Sequence, residues 1–117
     1  GLVISPFDSA MRSLLVAIYE LDVREIMVIA HTECGACHMS FEAFREHILA
    51  RGIDEKTLET IQHCGIDLNK WLEGFHDTAS SVRQTVDIIR RHPLVPTDVI
   101  VRGFIINSVT GQLEECR

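Results

Sequence analysis

The chain has 117 residues, 46% of them hydrophobic and 24% charged, which fits one soluble globular domain or most of one. Its apolar residues fall in short blocks, none close to the roughly 20 that a membrane span requires. The net charge of −6 disfavours a nucleic-acid or anionic-membrane partner. Gly1-Leu2-Val3-Ile4-Ser5-Pro6 carries no initiator methionine, basic segment or small-residue cleavage site, so no targeting signal is read there. The four cysteines, Cys34, Cys37, Cys64 and Cys116, are too sparse for a disulfide scaffold, and reduced thiols in a cytoplasm are expected.

Asp8 or Ser9 can cap a first helix, in which Met11, Leu14, Leu15, Ile18 and Leu21 recur at helical spacing. The continuous apolar run Ile26-Met27-Val28-Ile29-Ala30 then predicts a strand buried on both faces. A helix leading closely into such a strand is the pattern of an α/β fold with a mainly parallel sheet. Cys37, Phe41, Phe44 and Ile48 share one helical face, which predicts a helix starting near Ala36 and closed by Gly52. Asp54 caps a shorter piece carrying Leu58 and Ile61 that stops at Gly65. Asp67 caps another carrying Leu68, Trp71 and Leu72, with Trp71 expected in the core. Val82, Val86 and Ile89 mark a last helix, which His92-Pro93 ends because proline cannot continue it.

Val99 to Ile106 reads as a long second strand around Gly103, and Gln112 to Cys116 as an antiparallel edge strand. No repeat or linker divides the chain, so residues 1–117 are read as a single domain. Two long strands and a short edge make a thin sheet for so many helices. The edge of the first strand would also lie open, which proteins usually avoid, so further strands or a partner are expected to cover it.

The chemistry concentrates in His31-Thr32-Glu33-Cys34-Gly35-Ala36-Cys37-His38, directly after the first strand. Ligands bind open α/β sheets at the carboxyl ends of strands. Zinc favours imidazole nitrogen and thiolate sulfur, so His31 and Cys34 on one loop can converge on one ion. A helix starting near Ala36 would aim its N-terminus at Cys34 and favour the thiolate. Gly35 would let the backbone pass close to whatever sits there. The same stretch also fits Cys-x-x-Cys-His haem attachment, or a Cys-x-x-Cys redox dithiol. Cys37 reads as a small buried residue and His38 as a candidate proton relay. His47 and His63 read as surface residues, and His76 and His92 as caps or solvent contacts at helix boundaries.

Ser13-Leu14 in a helix, Ile26 to Ile29, and His31-Thr32-Glu33-Cys34-Gly35 together resemble the central block of the β-carbonic anhydrases. The likeness continues in His92-Pro93-Leu94-Val95-Pro96 and from Val101-Arg102-Gly103-Phe104 through Thr110-Gly111-Gln112-Leu113. It implies a Rossmann-like sheet covered by helices, built as a homodimer or larger homo-oligomer. It also implies zinc held by two cysteines and one histidine, hydrating carbon dioxide to bicarbonate through zinc-bound hydroxide. His31 and Cys34 would be two of the three protein ligands, with the Gly35 amide facing the substrate pocket. Zinc would lower the pKa of its water to about 7.

The sequence departs from that pattern in one respect. The family's first zinc cysteine lies in a Cys-x-Asp-x-Arg motif that this chain lacks, together with the Asp-Arg pair that acts on the metal-bound hydroxide. The first two strands of the family would therefore fall before residue 1, and the 117 residues alone are expected to lack hydratase activity. A shortened, non-catalytic interaction module of the same fold is the alternative. Cys37 as a substitute third sulfur is disfavoured by its expected core-facing position. Related sheets with this site hydrolyse carbonyl sulfide or carbon disulfide, and nothing in the sequence separates those substrates from carbon dioxide.

Overall fold

The computed structural model describes residues 4–117. In chain order it contains α1 (Ser9–Glu20), β1 (Glu25–His31), α2 (Phe41–Ala50), α3 (Glu55–His63), α4 (Leu68–Trp71), α5 (Thr78–Arg91), β2 (Ile100–Ile106) and β3 (Leu113–Cys116). Four of the five helices begin at an aspartate: Asp8, Asp54, Asp67 and Asp77 each accept a backbone N–H of the first turn, and Ser40 does the same for α2. Such caps satisfy amide groups that the helix itself cannot.

β1 pairs in parallel with β2, and β2 pairs antiparallel with β3, giving the order β1-β2-β3. A parallel pair needs a long crossover, and residues 32–99 supply it. The β2–β3 turn is organised by Asn107, whose side-chain oxygen accepts the amides of Val109 and Thr110, and by Gly111 at φ 75°. Among the described residues β1 has no strand on its other side, as the sequence pattern anticipated.

The register sorts side chains onto two faces. Ile26 stands opposite Val101, and Gly103 opposite Cys116, on the face that α1 and α5 cover. Met11, Ile18, Val82, Val86 and Ile89 close the core against them. Helix α5 approaches β2 so closely that a Cβ on Gly103 would lie 2.4 Å from Val82 Cγ1 and 3.1 Å from Val86 Cγ2. Glycine is therefore a packing requirement in mid-strand. Arg90, on α5, donates from Nε at 3.1 Å to the Val101 carbonyl, beyond the end of the β2–β3 ladder.

On the other face β1 departs from the expectation of double burial. Met27 and Ile29 are 53% and 51% exposed and lie outside the core that α1 and α5 close. Phe104 on the same face is buried, with the Arg102 guanidinium 5.2 Å above its ring. Helices α2 to α4 lie apart from the main core and bury only Leu58 and Leu68. The Cα radius of gyration, 16.8 Å, accordingly exceeds the about 13 Å expected of a compact chain this long.

Two further expectations are corrected and a third is narrowed. Trp71 is 68% exposed, because α4 is a single turn that presents Leu68 inward instead. His92 is the C-cap of α5, one of the two roles expected of it, but it is buried rather than in solvent: its Nδ1 accepts the Leu94 amide at 3.1 Å, so Nε2 carries the proton and donates to the Pro6 carbonyl at 3.1 Å. Helix α2 begins at Phe41 rather than near Ala36, because the backbone of residues 36–39 is engaged elsewhere.

Candidate metal centre

His31 is the last residue of β1, and the loop behind it is tied to the β2–β3 turn. The Thr32 amide donates to the Ile106 carbonyl at 3.1 Å, extending the ladder by one residue. Thr32 Oγ1 lies 3.0 Å from Ser108 Oγ and accepts the Ser108 amide at 3.0 Å. These bonds fix where the loop leaves the sheet. Glu33 then takes a left-handed φ of 57°, and the Cys37 amide closes a turn onto the Cys34 carbonyl at 3.0 Å.

His31 Nδ1 lies 3.0 Å from the Thr32 carbonyl oxygen. A carbonyl can only accept, so Nδ1 carries the proton and Nε2 is left as the basic nitrogen. That is the state in which metal-bound histidines are commonly held. Cys34 is half-buried and all four cysteines are free thiols. The chemistry of these two donors suits zinc.

The remaining geometry differs from the sequence expectation. Since α2 starts at Phe41, its N-terminus does not stand next to Cys34, and the expected helix-dipole assistance to the thiolate is absent. Cys37 is not on a helix face either. It forms an isolated parallel bridge with Phe75, and its thiol points to the His76 carbonyl at 3.7 Å. A Cβ on Gly35 would meet nothing within 4 Å among the described residues. The close approach lies instead at Gly74, where a Cβ would sit 2.0 Å from the Ala36 carbonyl oxygen.

Around Gly74 two loops lock together. The amides of His38, Phe75 and Gly74 donate to the carbonyls of Phe75, Ala36 and Met39 at 2.6, 3.2 and 2.8 Å. This clamp brings His38 and His76 side by side, a pairing that no spacing in the sequence announced. Among the described residues no three His, Cys, Asp or Glu side chains gather to hold a metal. His31 and Cys34 therefore fit zinc in kind but do not complete a zinc centre by themselves.

Comparison with known proteins places the chain in a family. The carbonic anhydrase family model matches residues 1–115, and the chain belongs to that family. The Bacillus subtilis protein YtiB is 45% identical over 114 residues, covering 97% of this chain and 61% of YtiB. A carbon disulfide hydrolase of Acidithiobacillus thiooxidans is 29% identical over 113 residues, covering 91% of this chain and 56% of that protein. The crystal structure of a β-carbonic anhydrase from Trichomonas vaginalis superposes with a TM-score of 0.87 at 31% identity, covering 97% of this chain and 62% of that one. The fold is thus that of the β-carbonic anhydrases, and the chain spans about three-fifths of the length of these relatives. No described helix is long and apolar enough to cross a membrane.

Proposed function

We propose that this chain carries two of the three protein ligands of a β-carbonic-anhydrase zinc centre, His31 and Cys34, and that its 117 residues alone do not hydrate carbon dioxide. The observation that carries the reading is the His31 Nδ1–Thr32 carbonyl bond, which reserves Nε2 for a metal at the carboxyl end of a strand. The third ligand, a cysteine, comes from a Cys-x-Asp-x-Arg segment outside these residues. Zinc, when bound, supplies the Lewis acidity that makes water a nucleophile near neutral pH. The chain's own contribution is positional. Thr32 and Ser108 hold the loop root, His31 is fixed in one tautomer, and the open space around Gly35 leaves its amide free to face substrate.

The substrate is carbon dioxide, interconverted with bicarbonate. Homology to a carbon disulfide hydrolase makes carbon disulfide the second substrate to assay. Four free thiols fit a reducing cytoplasm, and the unpaired edge of β1 fits pairing in a homodimer or larger homo-oligomer.

The test compares the 117 residues with the same chain extended at its amino terminus by a Cys-x-Asp-x-Arg segment. The short chain is expected to show no stopped-flow hydration and to hold one zinc fewer per chain than the extended one. Extension adds hydration and that one zinc, and His31→Ala or Cys34→Ser removes both gains. Fast zinc-dependent hydration by the short chain would overturn the proposal. An extended chain that gains no zinc would favour a non-catalytic module.

A further inference from the structure

From the His38–His76 pair we infer a second metal site, separate from His31 and Cys34, that takes one late divalent transition metal through two imidazole nitrogens. The two rings lie with centroids 5.6 Å apart and tilted by 48°, and their Nδ1 atoms are 3.5 Å apart. That separation is long for a hydrogen bond, since N–H···O bonds in proteins span about 2.7–3.2 Å. It is close to what a shared metal demands. Two nitrogens each about 2.0–2.1 Å from one ion lie roughly 3.3–3.4 Å apart at the tetrahedral angle of zinc and about 2.9 Å apart at the right angle that nickel and copper adopt. The rings need to close by about half an ångström or less.

The pair is held in place before any metal arrives. His38 sits at a left-handed φ of 65°, and its amide is bonded to the carbonyl of Phe75, the residue before His76. The Cys37–Phe75 bridge runs alongside, and Gly74 lets the two backbones touch where any side chain would part them. Ordering two donor-bearing loops usually weakens a two-histidine site, and here the backbone clamp has already ordered them. Both rings are exposed, so a metal can enter from solvent and keep waters in its remaining positions. Imidazole donors favour zinc, nickel and copper over magnesium or calcium, and the chain's net charge of −6 attracts a cation. The site uses none of the residues of the proposed zinc centre and stands whether or not that proposal holds.

Nickel(II) titration of the 117-residue chain, followed by calorimetry and visible absorption, tests the site. His38→Asn is the informative variant, because asparagine tolerates the left-handed backbone that His38 occupies. Loss of a direct ligand exceeds the loss of a supporting one, so His38→Asn and His76→Ala should each weaken nickel binding by roughly tenfold or more. His31→Ala should leave it unchanged, and no thiolate-to-nickel absorption should develop. The inference is overturned if the chain binds no nickel, if either His38→Asn or His76→Ala binds as tightly as the parent, or if His31→Ala loses binding as well.

Discussion

On the face of the sheet beneath α1 and α5, Ile26 and Val101 are buried against Met11, Val86 and Ile89, and the core is closed by residues of this chain alone. On the opposite face Met27, Ile29 and Ile100 are equally apolar and stand about half exposed. Strand side chains alternate, so a strand that is apolar at every position needs cover on both sides. The described residues provide it in full on one and, on the other, for Phe104 but not for Met27, Ile29 or Ile100. His31 shares the parity of Met27 and Ile29, which places the candidate metal ligand on the uncovered side of the sheet. The incomplete face and the incomplete donor set therefore occur together. The described residues close the scaffold behind the loop and leave half-exposed the face on which the proposed ligand His31 stands.

The sharpest way to break that comparison is to delete equal volume on each face. Ile89, 1% exposed, should cost about 2–5 kcal/mol on replacement by Ala. Ile29→Ala should cost about 1 kcal/mol or less, since half of that side chain is already in water. Urea unfolding of both variants measures the difference, and similar losses would mean that the open face is covered in solution.

A smaller effect separates close packing from mere burial. Gly103→Ala should destabilise by about 1–3 kcal/mol, because the new methyl meets Val82 and Val86. Val82→Ala makes room for it, so the double variant should be more stable than the two single losses predict. Simple additivity would show that α5 can shift away from the strand.

Removal of the α1 cap is smaller again. Asp8 accepts the amides of Ser5 and Met11 at 2.7 and 2.8 Å, and Asp8→Ala should cost about 1 kcal/mol of thermal or urea stability. Its effect should appear in global unfolding, since α1 belongs to the closed face.

Much of this architecture was legible because it rests on local chemistry. The caps Asp8, Asp54 and Asp67, Gly52 and Gly65 behind their helices and the Pro93 stop are written within a few residues of what they control, as is the Asp77 cap, which was not anticipated. The uncovered edge of β1 followed from counting strands. The loop that carries the site was less legible. Cys37, Phe41, Phe44 and Ile48 have helical spacing, yet residues 36–39 bond to residues 74 and 75 instead. That long-range competition leaves no periodic trace, and it hid both the true start of α2 and the approach of His76 to His38. Trp71 misled for the opposite reason. A large aromatic suggests a core, but the one-turn α4 decided otherwise, while the Pro6 and Leu94 partners of His92 added burial to a helix-end cap that was legible.

Acid titration offers the finest test, through two caps on opposite sides of the comparison. Asp77 starts α5 on the closed core, and Asp54 starts α3 in the outlying excursion. Side-chain hydrogen bonds from Ser80 and Thr57, respectively, together with backbone amides of the same residues, hold both carboxyls below the ordinary value of 3.8. A folded pKa below the unfolded one means that each cap contributes fully above the unfolded value and is lost as pH falls through the folded one. Asparagine caps about as well and does not titrate. Asp77→Asn should therefore flatten the fall in global stability below about pH 4. Asp54→Asn should leave that global slope unchanged while altering acid-dependent amide exchange within α3. If Asp54→Asn flattens the global slope as much as Asp77→Asn, the excursion unfolds together with the core, and the closed face is not the self-sufficient unit that its packing describes.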